Sequence, residues 1–152
     1  VANKLLEEIN RTWGSLNINK NLVLFGAATH DIGKTIYTNE LSEAGHKHEQ
    51  AGLQLLLSLG ISEEKSKFAA SHSSWSANST LEELLVSLAD KIWKGNRVHD
   101  LEDLLIERIS TETKTECWEV FSLLDSIIDD IAKDADKRLS FQNNLSTTWG
   151  TT

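Results

Sequence analysis

The sequence predicts an all-α protein built as a single helical domain. Three observations favour this fold class: apolar residues recur at helical spacing, no segment alternates between polar and apolar residues as a half-buried strand does, and the 152 residues include no proline. Because proline breaks helix interiors, its absence is typical of a mostly helical chain. The length suits one domain with one core.

The predicted elements follow from this spacing. Leu5, Leu6 and Ile9 define a first helix over residues 3–12. Further helices are predicted over 21–33, 46–59, 62–75, 79–93 and 101–110, with a polar loop over 35–45. One long amphipathic helix over 113–139 is predicted from a single apolar face, made of Val120, Leu124, Ile127, Ile128 and Ile131. We expect a helical bundle over residues 1–140 and a flexible C-terminal tail over 141–152.

Composition narrows the classes of partner. The formal net charge of −8 argues against a nucleic-acid polymer, whose phosphates favour a basic surface. No segment approaches the ~20 apolar residues that cross a bilayer, so we expect no membrane contact. Cys117 is the single cysteine, which excludes an internal disulfide and fits a cytoplasmic location. A homodimer is left open, with the C-terminal helix as a packing or dimer element.

Five ionisable residues interrupt faces that should be apolar. His30 and Asp31 stand side by side in "AATHDIGKT" (27–35), after an apolar run and before a glycine and a lysine. His48 shares its helix face with Leu55 and Leu56, and His72 follows Phe68 at helical spacing. Asp90 lies in "LLVSLADKIW", a helix that is apolar nearly all round. Imidazole and carboxylate groups suit divalent cations, so these residues predict a site for a divalent metal ion, with Fe, Mn, Co, Ni, Zn and Mg all suitable.

Each of these residues also has an ordinary structural explanation. A single inward histidine is more often a core residue with one hydrogen bond, Asp31 could end a helix, and Asp90 could pair with a lysine or arginine. Those explanations are weaker jointly, because several helices must each bury an ionisable group. A second His-Asp pair, His99-Asp100, lacks the apolar run in front. We interpret it as a capping aspartate beside a solvent-exposed histidine.

The order His-Asp … His … His … Asp resembles the HD-domain metal-dependent phosphohydrolase superfamily in its HDIG form. The matching segments are "AATHDIGK" (27–34), "GHKHEQAGLQLL" (45–56), "AASHSSW" (69–75) and "SLADKIWKG" (87–95). The similarity covers roughly residues 1–110. "HDIGK" alone is moderately specific, and the downstream "LAD" at the end of an apolar helix strengthens it.

The resemblance implies roles for these positions. His30 and Asp31 would be central metal ligands, with Asp31 able to bridge two ions, and Asp90 would close the first site. His48 and His72 would serve a second ion. The family pattern places a further ligand histidine on the first helix, at a position that here would precede Val1, so that this histidine lies upstream of Val1 or is absent.

The same resemblance implies the reaction. Asp31 and Lys34 would act in catalysis, Lys34 by contacting the substrate phosphate, and Lys91 would do likewise. Trp93 is a candidate for stacking on a base, as are Tyr37 and Trp75, and Arg97 could extend a positive rim. For the aromatic residues the alternative is core packing, and for Arg97 it is a solvated face.

We therefore predict a metal-dependent phosphohydrolase that cleaves a phosphoester or phosphoanhydride bond of a nucleotide or another small phosphorylated compound. A catalytically impaired HD-fold module that binds a nucleotide or a protein partner is the alternative. A third interpretation is a structural helical domain with buried histidines. Metal content separates the third from the first two, and turnover separates the first from the second.

Overall fold

The computed structural model describes residues 1–148, with the side chains of residues 1–142 and 144. The α-helices are α1 (Ala2–Thr12), α2 (Lys20–Thr29), α3 (Lys47–Ser58), α4 (Glu63–Ser66), α5 (Phe68–Ser71), α6 (Leu81–Trp93), α7 (His99–Thr113), α8 (Cys117–Ala132) and α9 (Ala135–Thr148). Two 3-10 helices, Ile32–Thr35 and Thr38–Leu41, lie between α2 and α3. These residues contain no strand, so the all-α prediction is confirmed.

The described residues form two compact units. One contains residues 17–87, and the other contains residues 3–16 together with the described residues from Leu88 onward. Helix α6 therefore contributes to both units, because the division falls between Ser87 and Leu88. The single domain over residues 1–140 stays a prediction.

The unit of residues 17–87 is organised around Phe68, which is fully buried. Helix α2 packs against α5 at Gly26, where a Cβ atom would lie 2.7 Å from Phe68 Cγ and 2.9 Å from Val86 Cγ2. The Asn19 side chain accepts a hydrogen bond from the Leu22 amide and so caps the start of α2. This capped, closely packed helix carries His30 at its end.

In the second unit the apolar stripes of the helices form the core. Leu5 and Ile9 of α1, Leu105 of α7 and Ile128 of α8 are fully buried. The face predicted for residues 120–131 is confirmed, since Val120, Leu124, Ile127, Ile128 and Ile131 are all buried. Burial of such side chains stabilises a fold by ~1.5–3 kcal/mol each.

The long helix predicted over 113–139 is two helices instead, α8 and α9. Lys114, with φ of 57°, adopts the left-handed conformation that ends α7, and α8 starts three residues later. The end of α8 is capped from outside, because the Arg138 guanidinium donates to the Ile131 carbonyl at 3.0 Å. It also donates to the carbonyls of Ile92 and Trp93 at the end of α6, at 2.9 and 3.1 Å.

Other boundaries also differ from the predictions. Helix α2 ends at Thr29 rather than near Gly33, and the predicted helix over 62–75 is the two short helices α4 and α5. The helix predicted over 101–110 extends from His99 to Thr113. Asp100 does not cap it; the Glu102 carboxylate accepts the Val98 amide at 3.0 Å instead, while His99 is exposed as expected.

The tail predicted from residue 141 is helical as far as Thr148, because α9 continues through it; the last four residues of that prediction lie outside the described residues. Within the described part of the chain, no helix combines the length and apolar character that a membrane crossing requires.

Candidate metal centre

The chain turns sharply after His30, and a close backbone contact fixes that turn. Helix α2 ends as the His30 amide donates to the Gly26 carbonyl, and the first 3-10 helix follows at Ile32–Thr35. That 3-10 helix packs against α3 so tightly that a Cβ atom on Gly33 would lie 1.9 Å from the His48 carbonyl oxygen. Gly33 thus serves close approach rather than helix termination, and it brings Asp31 beside His48.

Three histidine rings of this unit share one pattern of hydrogen bonding. Nδ1 of His30 lies 3.0 Å from the Ala27 carbonyl oxygen, and Nδ1 of His72 lies 3.1 Å from the Ala69 carbonyl oxygen. In His48 the Nδ1 atom lies 2.6 Å from Glu40 Oε2. Because carbonyl and carboxylate oxygens accept hydrogen bonds, Nδ1 is the donor in each ring. A neutral ring of this tautomer presents a lone pair at Nε2, the form that ligates a metal.

The three Nε2 atoms converge on the Asp31 carboxylate. Nε2 of His48 lies 3.2 Å from Asp31 Oδ1, and that of His72 lies 3.7 Å from the same oxygen. Nε2 of His30 lies 3.7 Å from Asp31 Oδ2. The His72 ring lies close to both of the other rings, with centroid separations of 4.8 Å to His30 and 5.6 Å to His48. The structure therefore brings together four of the five predicted ligands.

The His48 Nε2 atom is the observation that tests this site for a cation. It is buried and makes no hydrogen bond, although it lies 3.2 Å from Asp31 Oδ1. With Nδ1 as the donor, Nε2 and the carboxylate oxygen are two acceptors facing each other, an arrangement that a shared cation satisfies. The ligand atoms of His30, Asp31 and His72 lie within 4.8 Å of one another. The donor set of imidazoles and carboxylate fits a divalent ion.

Lys34 supplies positive charge next to Asp31. Its Nζ atom donates to Asp31 Oδ2 at 2.7 Å, and both side chains are partly buried. Burial raises the pKa of the Asp31 carboxyl, but the hydrogen bond from Lys34 and the nearby His30 and His72 outweigh it, so that the pKa lies below its ordinary value. Asp31 is therefore ionised at neutral pH, as a metal ligand must be.

The structure adds to this site two glutamates, Glu40 and Glu49, that the sequence analysis did not identify. Glu40 lies in the segment predicted as a polar loop, yet only 6% of it is exposed. Burial raises the pKa of its carboxyl, and hydrogen bonds from the His48 ring and from two backbone amides lower it further than burial raises it. No periodicity in residues 35–45 marks Glu40 as inward-facing. The burial of a carboxylate there depends on partners that are distant in sequence.

Glu49 follows His48 directly and forms a second group with His48 and His72, whose ligand atoms also lie within 4.8 Å of one another. Its Oε1 atom accepts hydrogen bonds from Ser73 Oγ at 2.6 Å and from His46 Nδ1 at 2.7 Å. His46 is itself exposed, whereas His48 and His72 are buried, as their positions on apolar helix faces predict. A carboxylate adjacent to a predicted ligand was the available sequence signal for Glu49.

Asp90 lies on the part of α6 that belongs to the other compact unit. It is buried, and it pairs with Lys91 at 3.0 Å and Lys94 at 2.7 Å. This is the lysine pairing considered as its structural alternative. The roles of Asp90 as a ligand and of Lys91 as a phosphate contact stay predictions.

Arg97 has partners other than the predicted substrate. Its guanidinium donates to both Glu102 oxygens at 2.9 and 2.7 Å, to Asp125 at 2.6 Å and to Asp129 at 2.7 Å. Two carboxylates of α8, those of Asp125 and Asp129, thus bind Arg97. These contacts give Arg97 a structural explanation, and nothing in them favours its predicted role at the substrate.

The aromatic candidates differ in exposure. Trp93 is half-buried at the end of α6, and Trp75 is half-buried after α5. Tyr37 is 37% exposed, with Lys47 Nζ at 6.0 Å from its ring centroid. Stacking of any of them on a base stays a prediction.

The fold is all-α, and the imidazole and carboxylate groups gathered on Asp31 are of the kinds that could hold a metal ion. The model of the family described as the HD domain matches residues 2–93. The chain therefore belongs to the HD-domain family, which is generally one of hydrolases, binds divalent metals and lies within the metal-dependent phosphohydrolase superfamily. No curated protein and no solved structure matches the chain. Helices α7, α8 and α9 follow the matched region.

Proposed function

We propose that this protein is a metal-dependent phosphohydrolase acting on a nucleotide or another small phosphorylated compound. The observation that carries the proposal is the convergence of three Nε2 atoms on Asp31, with His48 Nε2 buried and without a hydrogen bond. Core histidines that serve packing alone do not require three rings with Nδ1 tied to acceptors and Nε2 turned toward one carboxylate.

The residues would divide the work as follows. His30, Asp31 and His72 would hold one ion. A second ion would take His48 and Glu49, whose group also includes His72, but the single lone pair at His72 Nε2 serves one ion at a time. Asp90 remains the predicted closing ligand of the first. A bound divalent ion supplies Lewis-acid chemistry, which lowers the pKa of water and neutralises charge on phosphoryl oxygens.

The protein groups contribute position and charge. The hydrogen bonds at each Nδ1 hold the imidazoles in one tautomer and orientation before any ligand arrives. The positively charged ammonium group of Lys34, beside Asp31, can donate a hydrogen bond to a phosphoryl oxygen as negative charge develops there. In-line displacement at phosphorus needs little else from the protein than such positioning and charge stabilisation.

The test measures metal content and turnover on the same preparation. The chain is stripped with a chelator, dialysed, reloaded with Mn²⁺ or Co²⁺ and assayed for phosphate release from a panel of nucleotides, with elemental analysis of each sample. Asp31→Ala should lose bound metal and turnover. Asp100→Ala is the matched control, because Asp100 also follows a histidine but is exposed at the start of α7.

The outcomes distinguish the candidate functions. One or two ions per chain with metal-dependent phosphate release, both lost in Asp31→Ala and kept in Asp100→Ala, would support the phosphohydrolase. Metal and nucleotide binding without turnover would support the impaired binding module. Absence of both metal binding and turnover would contradict the proposal.

A further inference from the structure

The second 3-10 helix, Thr38–Leu41, turns its charged residue inward and its one apolar residue outward. Glu40 is its buried residue, whereas Leu41 is 71% exposed. Burying a carboxylate while exposing a leucine is unfavourable for folding alone, since the charge loses hydration and the apolar side chain keeps its water contact. Such a local inversion is expected where a buried charge serves a site.

The contacts of Glu40 show which site it serves. Glu40 Oε2 accepts from His48 Nδ1 at 2.6 Å and from the His48 amide at 3.1 Å, and Oε1 accepts from the Lys47 amide at 3.2 Å. One carboxylate thus binds both the ring of His48 and the backbone that carries it. The side chains of Glu40 and His48 are 4% and 6% exposed, so water does not compete strongly for these bonds.

We propose that Glu40 is a positioning residue, which fixes His48 in the Nδ1–H tautomer and aims its Nε2 atom at the Asp31 carboxylate. The inference rests on the proposed function insofar as His48 is a metal ligand. It adds that the segment carrying Glu40 sets the metal affinity of the site without contacting the ion. Carboxylates that orient a ligand histidine typically change metal affinity by about 10–100-fold when they are replaced.

The glycine before the α3 entry supports the same role. A Cβ atom on Gly45 would lie 2.3 Å from Glu40 Oε1 and 2.5 Å from its Cδ. The space for the carboxylate therefore depends on the absence of a side chain at position 45. Gly45→Ala offers a way to displace the carboxylate without changing its chemistry.

Glu40→Gln is the main test variant, and Glu43→Gln is its control, because Glu43 is an exposed glutamate three residues further on. A glutamine has one acceptor oxygen, so it cannot accept from His48 Nδ1 and from the Lys47 amide with different atoms as the carboxylate does. We expect the dissociation constant of Mn²⁺, measured by titration calorimetry on the full chain, to rise about 10–100-fold in Glu40→Gln. Glu43→Gln should match the unsubstituted chain, and Gly45→Ala should move in the same direction as Glu40→Gln.

A second measurement reads the tautomer directly. Long-range ¹H–¹⁵N correlation on the metal-free chain distinguishes an Nδ1–H from an Nε2–H imidazole. We expect His48 to be Nδ1–H in the unsubstituted chain and to lose that preference in Glu40→Gln. This readout does not require turnover, and a purely structural role of Glu40 would not set it.

The outcomes separate this proposal from the proposed function. Mn²⁺ binding within about twofold of the unsubstituted chain in folded Glu40→Gln, or an Nε2–H tautomer of His48 in the unsubstituted chain, would overturn the role of Glu40. If the unsubstituted chain binds no Mn²⁺, the metal-dependent function fails, and with it the effect of Glu40 on metal affinity. If Glu40→Gln does not fold, Gly45→Ala and the tautomer of the unsubstituted chain decide. If the chain binds Mn²⁺ tightly but shows no turnover, the proposed enzymatic function is contradicted. The role of Glu40 is then still decided by the Mn²⁺ affinity and the His48 tautomer.

Discussion

Replacing Gly33 by alanine tests the backbone contact that positions Asp31. The added Cβ would lie 1.9 Å from the His48 carbonyl oxygen and 2.6 Å from the Gly52 amide nitrogen, where ordinary contact begins at 3.4 Å. Both neighbours are backbone atoms, so no side chain can rotate away and the two segments must separate by roughly 1.5 Å. Overpacking of this kind costs about 1–3 kcal/mol or more, and we expect about 3 kcal/mol for Gly33→Ala.

The assay is reversible thermal unfolding followed by circular dichroism, with Mn²⁺ titration on the folded variant. In a chain of this size about 3 kcal/mol lowers Tm by roughly 6–12 °C. Gly14→Ala is the control, because its Cβ would meet a single backbone oxygen, that of Asn10, at 3.2 Å. A Tm of Gly33→Ala within about 2 °C of the unsubstituted chain, with unchanged Mn²⁺ affinity, would refute the argument that this contact sets the site.

Three further changes address other parts of the molecule. Burial raises the pKa of Glu102, but the hydrogen bonds from Arg97 lower it further, to below the usual 4.5. Glu102 therefore stabilises the fold above pH 4.5 and loses that effect as the pH falls through its folded-state pKa. The free energy of unfolding of Glu102→Gln should be lower by about 2 kcal/mol at pH 7 and by less in acid, and a difference independent of pH would contradict this. Glu49→Gln should lower the bound Mn²⁺ per chain in elemental analysis, whereas an unchanged ratio would remove Glu49 from the ligands. Arg138→Lys should lose part of the hydrogen bonding to three carbonyls and lower the free energy of unfolding, measured with urea, by about 1–2 kcal/mol. Lys137→Ala, at an exposed neighbouring position, should leave it unchanged. Equal stability of the two variants would show that the capping by Arg138 is dispensable.

The inward histidines were predictable because each lies on an apolar helix face. His48 and His72 recur at helical spacing with leucine, glycine, alanine or phenylalanine neighbours, and the structure buries both. Helical periodicity carries this information locally, so it does not depend on knowing the fold. The same reasoning gave the buried face of α8 correctly.

Helical periodicity could not predict the burial of Glu40 or the break between α8 and α9, and the reason is the same in both cases. Glu40 is buried because its carboxylate accepts hydrogen bonds from the amides of His48 and Lys47. Helix α8 ends where the Arg138 guanidinium donates to the Ile131 carbonyl, which would otherwise accept the next helical hydrogen bond. Both depend on pairs of residues rather than on the period of one segment. Gly33 shows a related difficulty: a glycine after a helix suggests a stop, whereas here it permits two backbones to touch.

The placement of the gathered ligands within residues 30–72 of a single compact unit has a consequence for folding. Joining two points of a flexible chain costs entropy that grows slowly, by about 0.6 kcal/mol for each doubling of the intervening length. Because the cost grows this slowly, gathering Asp31, His48 and His72 across the intervening segments adds little to the entropy lost on folding. A cation that binds this native cluster would stabilise the unit of residues 17–87 by mass action, so its concentration during refolding becomes a control on how much of the chain reaches the folded state.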